Sequence, residues 1–196
     1  MKIKITKMHS AILQLKEAIE LFFEERDPVS IHTLSSAALQ IINDHIKTLD
    51  YNTAIHPNSP YIREEHRKDW IAAMNGPKNF FKHADRDIKN GINEIDFETS
   101  VNDYIIYGAI NNLKNIDTNL YQNNIIFLVF ETWFIYNHSK FFNKDLIASP
   151  ITNFENIEID IAMDNKKSFL ELIKIIKDYN INNIEQIQNF VVKKSR

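Results

Sequence analysis

Between Met8 and Arg26, apolar residues recur at Ile12, Leu15, Ile19, Phe22 and Phe23 with charges opposite. This 3–4 spacing predicts an amphipathic helix. Asp27-Pro28 then offers an N-cap followed by proline at the first helical position, a start signal. The second helix is expected to run to about Leu49, its inner face marked by Ile31, Leu34, Ala38, Ile41, Ile42, His45 and Leu49. The two helices abut with almost no loop, so the chain must turn sharply at Asp27. Ser59-Pro60 repeats the cap-plus-proline signature, with Glu64 and Glu65 in the first turn as the helix dipole prefers. Asn75-Gly76-Pro77 predicts the end of that third helix, and Lys78 to about Asp85 a shorter helical piece. Asn90-Gly91 breaks it, and Ile92 to Phe97 is expected to be extended.

Farther along, Thr99 to Asn137 predicts two helices divided near Asp117-Thr118. Few charges interrupt this stretch, so these are the expected central helices. Residues 139–159 read as irregular, with a break at Ser149-Pro150. Helices around Ile161–Tyr179 and Ile184–Val192 complete the chain, whose basic end, residues 193–196, is expected to fray. With no repeat and no long linker, the expectation is one all-helical domain, residues 1–196, of five to seven helices, several antiparallel because their loops are short.

Composition narrows the chemistry. Three glycines and five prolines in 196 residues argue against all-β folds and against Gly-rich phosphate loops. Isoleucine and asparagine are inflated instead, as codon bias of an AT-rich genome would produce. The absence of cysteine removes disulfides, thiol catalysis, Cys-type zinc and iron–sulfur clusters. A net charge of −3 provides no global basic field for nucleic acid, though it leaves room for a local patch. The start, Met1 to Lys7, lacks the apolar stretch of a signal peptide. The greasiest run, Ile125 to Tyr136, is broken by Glu131 and Thr132 and is shorter than the ~20 residues a bilayer requires. A buried core helix, no membrane contact and a cytoplasmic location are the expectations. Tyr104, Tyr107, Tyr121, Trp133 and Phe134, at helical spacing, are expected in the core.

The segment Lys78-Asn79-Phe80-Phe81-Lys82-His83-Ala84-Asp85-Arg86-Asp87 concentrates the candidate chemistry. On one helix His83 and Asp87 would lie a turn apart, and an aspartate on one imidazole nitrogen raises the basicity of the other. Lys78, Lys82 and Arg86, at i, i+4 and i+8, would form a cationic ridge able to hold phosphate. The alternative is that Phe80 and Phe81 pack inward while the charges form a solvated face. His32 opens the second helix among Ser30, Thr33, Ser35 and Ser36. That cluster reads either as capping hydroxyls around one satisfied histidine or as a pocket facing the His83 segment. The second version includes a metal site built from His32, His83 and Asp87. No Glu-x-x-His occurs, which counts against a di-iron bundle. Arg63 to Asp69 reads as an exposed, salt-bridged face.

Lys78-Asn79-Phe80-Phe81-Lys82-His83 resembles the R-N-x-x-x-H motif of the HEPN superfamily, with lysine where that motif has arginine. The resemblance covers six residues. It implies an all-helical bundle, a homodimer whose cleft lies between protomers, and a metal-independent ribonuclease or RNA-binding protein of a defence or toxin–antitoxin type, working without a cofactor. It implies that His83 is the acid/base and Asn79 a supporting polar group. Lys78 would be the phosphate-holding cation, lacking the bidentate fork of arginine. A looser resemblance joins Asp27–Leu34, Ala37-Ala38 and Asn79–Asp87 to a group of small bacterial proteins without an established activity. The alternative from a different class is a non-enzymatic helical module that binds a small ligand, a metal ion or a protein partner through the His32/His83 region.

Overall fold

The computed structural model describes residues 2–47, 63–138 and 165–181, together with Gln186. The regular elements among them are all α-helices: α1 (Lys7–Phe23), α2 (Pro28–Lys47), α3 (Glu64–Phe80), α4 (Ala84–Lys89), α5 (Val101–Ile116), α6 (Thr118–Gln122), α7 (Ile125–Asn137) and α8 (Lys166–Asp178). The fold is all-α, as the periodicity predicts. No described helix is long and apolar enough to cross a membrane. The expected cap at Ser59-Pro60, the break at Ser149-Pro150, the helix at Ile184–Val192 apart from Gln186, and the basic end lie outside the described residues.

Two compact units divide the chain: Met1–Ala18 with Arg26–Asn112, and Ile19–Glu25 with Leu113–Arg196. In the first unit Asp27 opens α2 as its cap. Its carboxylate accepts the Ser30 amide at 2.9 Å, the Val29 amide at 3.3 Å and the Ser30 hydroxyl at 2.6 Å. These bonds satisfy donors that a helix start leaves orphaned and hold the Asp27 carboxyl below its usual range.

The buried face of α2 is rotated from the expected one. Ile31, Ala38, Leu39, Ile42 and Ile46 are buried, whereas His45 is exposed and Leu34 and Ile41 are half-buried. The polar His32, Ser35, Ser36 and Asn43 are buried with that apolar stripe. A reading that counts only apolar positions averages over such residues, and the face it finds is turned accordingly. α2 packs on α3. Two asparagine bonds tie it to α5: Asn102 Nδ2 donates to the Pro28 carbonyl at 3.0 Å, and Asn112 Nδ2 to Asn43 Oδ1 at 2.7 Å.

α3 runs through Gly76 and Pro77 to Phe80, past the expected stop. A proline removes one donor from a helix but leaves its own carbonyl usable. Here the Pro77 carbonyl accepts the Phe81 amide at 2.9 Å, and the Asn79 carbonyl accepts the His83 amide at 3.0 Å. Gly91 ends α4 at φ +71°, a conformation that favours glycine, and Ile92 N–H reaches back to the Asp87 carbonyl at 2.8 Å. Residues 92–97 follow as irregular chain.

In the second unit the Asp117 side chain caps α6 by accepting the Leu120 amide at 2.9 Å. α7 is buried from Ile125 to Ile135 and packs against α8, the core helix the apolar run predicts. Phe22, Phe23, Phe130, Trp133 and Phe169 form an edge-on and stacked aromatic cluster. Lys166 Nζ stands 3.6 Å from the Phe22 ring centroid. Glu131 is buried on α7, paired with Lys114 Nζ at 3.3 Å and accepting a hydrogen bond from the Tyr121 hydroxyl.

Candidate functional site

The helix boundaries redistribute the Lys78–Asp87 residues. Lys78 and Asn79 occupy the last turn of α3, Phe81 to His83 form a turn, and α4 begins at Ala84. The expected single helix across this stretch is therefore two helices with a turn between them. His83 is exposed in that turn, while Asp87 is buried on α4. Lys82 lies in the turn and Arg86 on α4, so the i, i+4, i+8 spacing no longer places them with Lys78 on one helix face. Asn79 is half-buried. Lys78 Nζ donates to Gln40 Oε1 of α2 at 2.9 Å. Burial lowers the Lys78 pKa from its ordinary value, helped by Lys82 and Lys47 and opposed by Asp44.

His32 is fully buried. Its Nδ1 lies 2.9 Å from Asn102 Oδ1. The Pro28 carbonyl can only accept, so the Asn102 amide presents its nitrogen there and its oxygen to His32. His32 Nδ1 therefore carries the proton. Nε2 keeps its lone pair and has no hydrogen-bond partner. Phe81 and Phe97 pack edge-on to the imidazole, with ring centroids at 5.6 and 5.1 Å. Desolvation is the main cause that lowers the His32 pKa, with Lys78 and Lys82 acting in the same direction and the Asn102 bond against it.

The hydroxyls around His32 divide by partner. Ser30 binds Asp27, Thr33 Oγ1 donates to the Val29 carbonyl at 2.8 Å and Ser35 Oγ to the Ile31 carbonyl at 2.8 Å. Ser36 Oγ is buried without a partner. Among the described residues no group of three His, Asp or Glu side chains is placed to hold a metal ion. Arg63 to Asp69 is the expected charged face, with Arg67 Nε on Glu64 at 2.7 Å and Arg63 on Glu65 at 3.2 Å.

Two hollows flank this region. One of about 40 Å³ is walled by Ser36, Gln40, Asn43, Asn75, Lys78 and Ile105, among others. The other is an open groove of about 450 Å³ along α3, the 95–98 segment and α5. Ala72, Ala73, Gly76, Phe97, Val101 and Tyr104 give it a largely apolar lining, and Asp96 and Glu98 add two exposed carboxylates. Phe97 thus has one role in the groove and another against His32. Tyr104 is half-buried there, and burial raises its pKa with a contribution from Asp103.

Sequence reasoning missed the groove because its lining comes from three separate segments and its floor is made of small residues. It also missed Asn102, Asn43 and Asn112 as core residues. For Asn43 the signal was present in the i, i+4, i+11 series His32, Ser36, Asn43, polar positions on the buried stripe of α2. The chain matches no family model, no curated protein and no solved structure.

Proposed function

We propose that the protein is a non-enzymatic helical binding module that takes a small amphipathic cation in the groove beside Phe97. The 450 Å³ groove carries this reading. Its size lies in the range of ligand sites, roughly 300–1,000 Å³, and its lining has their usual character of apolar wall with few polar groups. Its charged groups are the carboxylates of Asp96 and Glu98, so the complementary ligand presents an amine at one end and hydrocarbon at the other. The Phe81–His32–Phe97 cluster backs one wall, which links the site to the His32/His83 region.

The ribonuclease reading, in which Lys78, Asn79 and His83 act on one phosphate, has one observation in its favour: Lys82 and His83 stand exposed in the same turn. Against it, the 450 Å³ groove along α3 presents carboxylates rather than cations.

Calorimetric titration with hexylammonium and the uncharged hexanol tests the binding reading. Saturable one-to-one binding of the amine, no saturable binding of hexanol, and loss in Gly76→Leu are the expected results. A β-carbon at Gly76 meets nothing within 4 Å, so the leucine enters the groove without a backbone clash. Equal heats from both probes, or unchanged binding in Gly76→Leu, would refute the reading. Incubation with RNA in chelator separates the nuclease alternative: cleavage abolished by His83→Ala would favour it, and intact RNA would exclude it.

A further inference from the structure

The small hollow between α2, α3 and α5 has a chemistry of its own, opposite in sign to that of the groove. Gln40 is fixed at both ends. Its Nε2 donates to Asp44 Oδ1 at 3.0 Å, and its Oε1 accepts from Lys78 Nζ at 2.9 Å. The acceptor it presents to the hollow is thereby used. Asn43 is used on the same side, because its Oδ1 accepts from Asn112 Nδ2 at 2.7 Å, leaving its NH₂ as the remaining end. Lys78 retains further N–H donors beyond the one spent on Gln40. Ser36 adds a hydroxyl that is 4% exposed and has no partner.

Thr33 and Ser35, on the same helix, turn their hydroxyls back to their own backbone, whereas Ser36 does not. A buried hydroxyl without a partner costs roughly 1–3 kcal/mol, so its presence asks for an acceptor. The wall thus carries several unspent donors on Lys78, Ser36 and the Asn43 and Asn75 amides, with the Asn75 carboxamide oxygen as an acceptor beside them. The charges acting on Lys78 are Lys82, Lys47 and Asp44, two cations against one carboxylate, so the local field also favours an anion. Asp44 is itself paired with Lys47 at 2.9 Å. The volume of about 40 Å³ holds about three waters, which suits a group of about three heavy atoms.

We infer that this hollow is a carboxylate-binding site, in which Lys78 and Ser36 donate to the two oxygens and the Asn43 amide completes the cradle. The site is independent of the groove and of the ligand proposed for it.

Thermal unfolding at constant ionic strength, titrated with sodium acetate against sodium chloride, tests the inference. A saturable rise in Tm with acetate beyond that with chloride is expected, and it should be absent in Lys78→Met. Ser36→Ala should weaken acetate affinity about tenfold while leaving the ligand-free protein at least as stable, since the hydroxyl it removes is unpartnered. Equal responses to acetate and chloride, or a response retained in Lys78→Met, would overturn the assignment. If Lys78→Met fails to fold, reductive methylation of the wild-type protein read by mass spectrometry keeps the test open. Acetate should protect Lys78 several-fold against modification, and an unchanged rate would refute the site. Butyrate and hexanoate identify the source: affinity rising with chain length marks the head group of a larger molecule, and acetate binding best marks a free small carboxylate.

Discussion

His32 makes a pH dependence that can be worked out from its surroundings. The imidazole is buried, donates through Nδ1 to Asn102, packs at a T-shaped angle to Phe81 and Phe97, and holds an unpartnered Nε2 lone pair. Protonation would place an N–H and a charge where no acceptor waits, with Lys78 and Lys82 adding repulsion. The folded pKa is lowered from 6.5, so the unfolded chain binds this proton more readily than the folded one. Stability therefore rises with pH, is complete above the unfolded value and is lost as pH falls below it. The slope is at most about 1.4 kcal/mol per pH unit between 6.5 and the folded value.

The loss accumulates below pH 6.5 until the folded imidazole itself takes the proton, and each 1 kcal/mol of it lowers Tm by about 2–4 °C for a chain of this length. His32→Asn keeps a donor near the Nδ1 position for Asn102 but removes the titrating ring. It should cost about 1–3 kcal/mol at pH 8 through lost packing on the two phenylalanines, and the gap to wild type should narrow as the pH falls. Urea denaturation of both proteins from pH 8 to 5 measures that difference, with contributions from the other ionisable groups cancelling. Parallel stability curves would refute the buried, neutral assignment.

Glu131→Gln should destabilise by about 1–3 kcal/mol in urea unfolding, because Lys114 loses its buried partner while the Tyr121 hydroxyl keeps an acceptor. A loss under about 0.5 kcal/mol would mean that the ion pair is dispensable. Gly76→Ala should raise stability by about 0.5–1 kcal/mol, since the position is helical and its added methyl meets open space. A drop in Tm would contradict the described backbone there.

The helices were legible where a local signal coincided with the packing. Asp27-Pro28 and Asp117-Thr118 each mark a start that a side-chain carboxylate satisfies, and these require only a few consecutive residues. Asn75-Gly76-Pro77 misled because stop signals are weak against tertiary support: the Lys78–Gln40 bond comes from a residue 38 positions away in the chain. Moving that boundary by a few residues changed the candidate site more than the fold. It put His83 in the turn before α4 and Asp87 on α4, exposing one and burying the other. Lys78 was legible as a cation of interest, but not its partner Gln40 or the Ser36 and Asn43 that share its hollow, because these belong to another helix. His32 was singled out with its serines, yet its bond to Asn102 spans 70 positions and no local pattern encodes it. The groove depended on side chains too small to register in a hydrophobic pattern.

The most direct test of the binding reading is a crystal structure of the protein grown with octylammonium. The account predicts the ammonium within 4 Å of Asp96 or Glu98 and the alkyl chain along Ala73, Gly76 and Phe97. An empty groove at saturating amine, or the chain bound elsewhere on the surface, would contradict it.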